Sequence, residues 1–299
     1  MRRLAFIAVF GILLLSACRR AGELLPADVL RRATAAGNQL QSAEYDAHVQ
    51  FSAATSSVQG QGVVDLRGTI AHGGQEMAFS INGKGSFLRD GVDTGLTLIA
   101  DVVSETQDLY LRVHTLTLDP PAALPSSLQT MIDTWWRIPQ DAGSPIPVAV
   151  TPDPEFLRAQ AAVVTVTEDH GLERLGDRDV YHYSVAIDPD RLVALGKTIA
   201  EQHGRPFDST VVRAEVTQYD ARGELWIDAE TFVLHRLSWV IVSRNDPSSL
   251  QITFGVDLRN HNAAAAITVP PTSEILRRDS LLQLLPFPLP ASSASSSKH

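Results

Sequence analysis

Few side chains in this sequence are equipped for chemistry, and the first is Cys18, the only cysteine in 299 residues. One thiol makes no intramolecular disulfide and builds no thiolate metal site alone, so its position carries the meaning. Arg2 and Arg3 give a positive start, residues 4–15 form an apolar run, and Ser16 and Ala17 are small residues directly before the cysteine. That order is the plan of a secretory signal peptide. The run is short of the about 20 residues a membrane-spanning helix needs. Cleavage after residue 17 is therefore expected, with residues 18–25 as a tether.

The nine histidines are scattered, and no pair has the i, i+4 spacing of a helical zinc site. His182 and His235 fall in strand patterns among apolar or aromatic neighbours, where a hydrogen-bonded strand histidine is the simpler reading than a metal ligand. There is no G-x-S-x-G elbow, no Walker loop and no G-x-G-x-x-G after a strand. Asp153, Asp188 and Asp190 sit where helices should start and where a carboxylate satisfies free amides. Asp228 and Glu230 mark a turn. Trp135 and Trp136 are adjacent, so one is expected in the core and the other at a rim. No metal and no catalytic residue is assigned, and an enzyme is not expected.

The elements that would position these groups follow from periodicity. Residues 25–43 carry apolar side chains at helical spacing after Pro26. From residue 44 the period becomes two, with Tyr45, Ala47, Val49 and Phe51 on one face, and the alternation returns at 63–70, 77–81, 96–102 and 109–113. A short helix is expected at 126–134, then a proline-rich loop, then another short helix from 153 to 161. Strands at 163–167 and 179–187, a helix from Asp188 to about 203, and strands at 211–219, 224–228, 232–242 and 250–258 complete the pattern, with 267–271 ending the sheet. The fold class is α+β: residues 26–276 form one domain around a one-faced antiparallel sheet, and 277–299 a low-complexity tail containing the apolar run 281–289. The mature chain carries 23 basic against 34 acidic side chains, a formal charge of −11. That balance disfavours nucleic acid and gives anionic headgroups no attraction.

Quoted as Leu15-Ser16-Ala17-Cys18, the end of the leader resembles the lipobox of bacterial lipoproteins. The resemblance implies a covalent diacylglycerol and acyl lipid on Cys18, no other cofactor, and a place in the cell envelope, anchored at the outer leaflet of the plasma membrane or at the outer membrane. The stretches "VYHYSVAIDPDRLVAL" (180–195) and "GELWIDAETFVLHRLSWVIV" (223–242) resemble the lipoprotein-localisation fold of the LolA/LolB and LppX/LprG type. That resemblance implies a strongly curved sheet of about 9–11 strands, an incomplete β-barrel whose concave face is covered by helices, with lipid or acyl chains held between. Apolar strand faces would then line the cavity through Phe51, Leu109, Leu111, Val113, Tyr183, Val185, Leu237, Trp239, Ile252 and Phe254, and a lid helix through Leu192, Leu195 and Ile199. Each is equally explained as packed core. The alternative is an envelope interaction or sensor module on the same scaffold, with a protein partner docking at the proline-rich loop or at 281–289.

Overall fold

The computed structural model describes residues 24–55, 58–105, 108–121, 129–130, 132–139, 163–202, 204, 206–244 and 249–276. The leader with Cys18, residues 126–128 and 131 of the helix expected at 126–134, most of the proline-rich loop, the helix expected at 153–161 and the tail lie outside the described residues. The described part of 126–134 ends in a turn, where Ile132 bridges Val113 and Asp133 has a φ of 58°, so no helix runs to 134.

The chain enters through α1 (Pro26–Gly37), whose first turn holds Pro26 and Asp28 and whose Val29 is fully buried. A longer helix, to residue 43, was the expectation from spacing. The helix instead ends at Gly37, and Leu40 stays in the core from the loop while Ala43 already opens a strand.

Five strands follow as a meander: β1 (Ala43–Ala54), β2 (Val58–Ala71), β3 (Glu76–Arg89), β4 (Val92–Glu105) and β5 (Asp108–Asp119). Asp90 and Gly91, at φ 52° and 81°, make the β3–β4 link, the left-handed pair that a two-residue hairpin of matching twist requires. After β6 (Trp136–Pro139) a second meander runs through β7 (Val164–Leu175), β8 (Arg178–Ile187), β9 (Tyr219–Asp228), β10 (Leu234–Ser243) and β11 (Ser249–Arg259). Two helices, α2 (Pro189–Gln202) and α3 (Ser209–Val216), are inserted between β8 and β9.

Antiparallel pairing of β1 with β11 over eleven residue pairs welds the meanders into one twelve-stranded sheet, ordered β12-β6-β5-β4-β3-β2-β1-β11-β10-β9-β8-β7. The count exceeds the expected 9–11 because β6 and β12 (Glu274–Ile275) are short pieces without alternation, paired parallel at one edge. Residues 267–271 are irregular, and β12 ends the sheet instead.

One expectation is overturned outright. Residues 211–219 alternate in sequence, yet Ser209–Val216 is helix α3. The Asp208 carboxylate accepts from the amides of Thr210 and Val211, capping the helix, and a cap outweighs the weak alternation of so short a segment. Asp188 caps α2 in the same way, as its sequence indicates.

The core shows that the sheet curls. One cluster joins Val29 and Leu40 to Ile70, Phe79 and Val102 on one side and to Leu237, Tyr183 and Val185 on the other. A flat sheet of eight strands would be over ~30 Å wide, and one helix about 10 Å across does not cover it. Burial of residues from β4 to β8 therefore requires the strands to wrap toward α1, giving an open, unclosed antiparallel sheet.

Candidate functional site

Register places the expected strand residues on one face. Phe51 pairs with Ile252, Val49 with Phe254, and Phe254 with Trp239. Leu237 lies opposite Leu225, which faces Tyr183, and Val185 and Trp239 flank Gly223. On the far side, Leu109, Leu111 and Val113 face Ser104, Val102 and Ala100. Apart from Ser104, the inner-face residues paired here are apolar from β5 to β8.

Burial along it is graded. At the α1 end Tyr45, Ile70, Tyr183 and Leu237 are buried, whereas on the rung of Phe51 and Leu96 these two are 38% and 37% exposed and Ile252 is half-buried; on the rung between, Val49, Leu98 and Phe254 are half-buried while Trp239 and Val185 are buried. The result is a trough whose floor is apolar throughout and whose cover stops partway. Leu109, Leu111 and Val113 are half-buried on one wall, where Leu109 and Leu111 pack against Trp136, Ile138 and Leu276.

Three aromatic rings lie flat on this floor, each over a glycine of the paired strand. A methyl on Gly62 would meet the Phe51 ring at 2.7 Å, on Gly68 the Tyr45 hydroxyl at 2.9 Å, and on Gly223 the Trp239 indole at 2.7 Å. With no side chain beneath them the rings recline across the sheet. Tyr45 Oη and Trp239 Nε1 are buried without a hydrogen-bond partner, and burial pushes the Tyr45 phenol well above its usual range.

The helix residues are placed differently from expectation. In α2 the buried side chains are Val193 and Ala200; Leu192 and Leu195 are half-buried and Ile199 is 45% exposed. The Arg191 guanidinium reaches the Val164 carbonyl at 3.3 Å, an Arg213–Asp190 ion pair joins α3 to α2, and Gly196 sits under the Phe207 ring. The neighbour of α2 is thus a helix, where alternation predicts a strand.

The opposite face is polar and self-paired. Asp46 pairs with Arg67 and Arg259, and Arg236 donates to Asp257 at 2.5 Å. His170, His182 and Trp226 stack with centroids 4.3 and 4.5 Å apart, Arg236 lies over Trp226, and Glu173 accepts from Trp226 Nε1 at 2.7 Å. The Trp226 bond, with His182 beside it, holds the Glu173 carboxyl below its usual range. Asp101 bridges Arg112 and His114, and Asp133 meets the other nitrogen of His114; the Asp101 bond raises the imidazole pKa. Trp135 sits under Arg112 on this face while Trp136 packs inward against Ile138 and Leu276; they point to opposite faces, but both are half-buried and neither is a core residue.

Asp228 closes the β9–β10 turn. Burial works to raise its pKa, but the amides of Thr231 and Glu230, the Thr231 hydroxyl and His235 overcome that and bring it to about 2. Arg178 donates to the same carboxylate. His235 is therefore a turn-clamping residue.

Two clefts, of about 570 and 560 Å3, also open on the polar face, the first lined by Gln50, Ser52, Gln61, Lys84, Ser86 and Gln251, the second by His48, Asp65, Arg67 and Asn82. Among the described residues no three His, Cys, Asp or Glu side chains are grouped to hold a metal ion, and no helix is long and apolar enough to cross a membrane.

Fold and site together define a one-faced antiparallel half-barrel with a partly uncovered apolar trough. No family profile matches the sequence, and no curated protein is significantly similar to it. Among solved structures it is similar to lipoprotein LppX of Mycobacterium tuberculosis, at 11% identity over 81% of this chain and 97% of that one, with a TM-score of 0.38. It is likewise similar to LprF of Mycobacterium bovis (15% identity, 83% and 99% covered, TM-score 0.38) and to a LolA superfamily protein of Nitrosomonas europaea (10%, 79% and 94%, 0.22). These are proteins of the LppX and LolA type that the sequence resembles.

Proposed function

We propose that this protein is a cell-envelope lipoprotein that binds acyl chains in the apolar trough and is held at a membrane by lipid on Cys18. The observation that supports this is the graded burial of the inner face: its apolar floor continues past the end of its cover, to Phe51 and Leu96. An acyl chain laid there would be hidden from water at about 0.8 kcal/mol per buried CH2, and the bare floor would be hidden with it. Binding needs no catalytic group. The anchor rests on the sequence "LSAC" and on the leader before it.

Titration of purified residues 19–299 with diphenylhexatriene, which fluoresces on entering an apolar site, tests the trough. Saturable binding by the wild type, lost in Phe51→Glu with little change in melting temperature, is the expected result. Phe51 is exposed enough for a charge there to leave the fold intact. Folded protein that does not bind the dye overturns the proposal.

A further inference from the structure

The inference rests on the trough as an acyl-chain site and concerns what it reads on the chain. Among the described residues the inner face carries Tyr45 Oη, Trp239 Nε1 and Trp136 Nε1, all buried and without a hydrogen-bond partner. Tyr45 and Trp239 are 0% and 2% exposed, so water does not serve them from bulk. A buried donor left unpaired keeps its desolvation penalty, and phenylalanine would fill much of the same space without it. An indole N–H donates only and a phenol donates readily, so what these positions lack is an acceptor.

The acceptor suited to an apolar floor is neutral and has no donor of its own. An ester carbonyl meets both conditions. A carboxylate would bring a charge, and no Lys or Arg stands at the inner-face positions of β1, β9, β10 or β11 to meet it. A bare hydrocarbon would leave the donors unpaired. We infer that Tyr45 and Trp239 are specificity-determining donors for the ester carbonyls of an acyl-ester lipid, so that the trough selects esterified chains over hydrocarbons and free fatty acids. Tyr45 reclines over Gly68 of β2 and Trp239 over Gly223 of β9, on opposite sides of the β1–β11 seam.

The test is displacement of bound diphenylhexatriene from residues 19–299 by ethyl oleate, oleate and octadecene. Ethyl oleate should displace the dye at roughly tenfold lower concentration than octadecene, the yield of one or two net hydrogen bonds, and oleate should be weaker than the ester. Tyr45→Phe and Trp239→Phe should each narrow the gap severalfold without changing displacement by octadecene. Without ligand, Tyr45→Phe should melt at or above the wild-type temperature, because it removes an unpaired donor; a merely structural hydroxyl would make the variant melt lower. Equal displacement by ester and hydrocarbon, or a gap that survives both substitutions, overturns the inference while dye binding keeps the trough reading. Failure of the wild type to bind the dye at all sinks both.

Discussion

Gly68 gives the sharpest perturbation of the fold. A methyl there would lie 2.4 Å from the Ala78 carbonyl oxygen, 2.5 Å from Phe79 Cβ and 2.9 Å from the Tyr45 hydroxyl. The first two belong to the paired strand and do not swing aside, so β2 and β3 must separate or Tyr45 must leave the floor. Overpacking of this kind costs typically 1–3 kcal/mol, and with two immovable contacts Gly68→Ala belongs at the upper end, about 3 kcal/mol. For a sheet of this size that lowers the melting temperature by roughly 6–12 °C. Gly83, an inner-face glycine of β3, is the control: its nearest contact for a methyl is Val64 Cγ2 at 3.8 Å. Gly83→Ala should be neutral or stabilising by up to about 1 kcal/mol, since alanine restricts the unfolded chain more than glycine. Thermal and urea unfolding of residues 19–299 reads both. If Gly68→Ala melts with the wild type, the β1–β2–β3 register and the ring-over-glycine floor are wrong.

Two further predictions follow from the turn and the leader. Asp228 titrates near 2 in the folded protein against about 3.9 unfolded, so the unfolded chain binds its proton more tightly. That contribution, on the order of 2 kcal/mol, is fully present above about pH 5 and is lost as pH falls through 4 toward 2; Asp228→Asn should lower stability at pH 7 and flatten the acid limb of a denaturation series, and an unchanged acid limb would refute the assignment. Cys18→Ser in the full-length chain should move the protein from the membrane pellet to the soluble fraction and abolish incorporation of labelled palmitate; a variant still pelleting with membranes would contradict the anchor.

The strands were legible because each buries one face, which writes a period of two into the chain. Tyr45 to Phe51 and Leu237 to Ile241 show it without any knowledge of their partners. The pairing of β1 with β11 was not legible, since it joins residues about two hundred apart and leaves no local trace. The reclining rings were hidden for the same reason: Gly68 reads as a weak strand residue until Tyr45 is known to lie across it, and Gly223 until Trp239 is. Helix α3 was misread because Val211 and Arg213 fit both periods, and only the Asp208 cap decides. In α2 it is Val193, not Ile199, that is buried.

The most direct test of the central claim is mass spectrometry of an organic extract from residues 19–299, expressed without the leader and purified as folded soluble protein. The account predicts a co-purified ester lipid near one molecule per chain, lost in Phe51→Glu. A clean extract from folded protein that also fails to take up added ester lipid would contradict it.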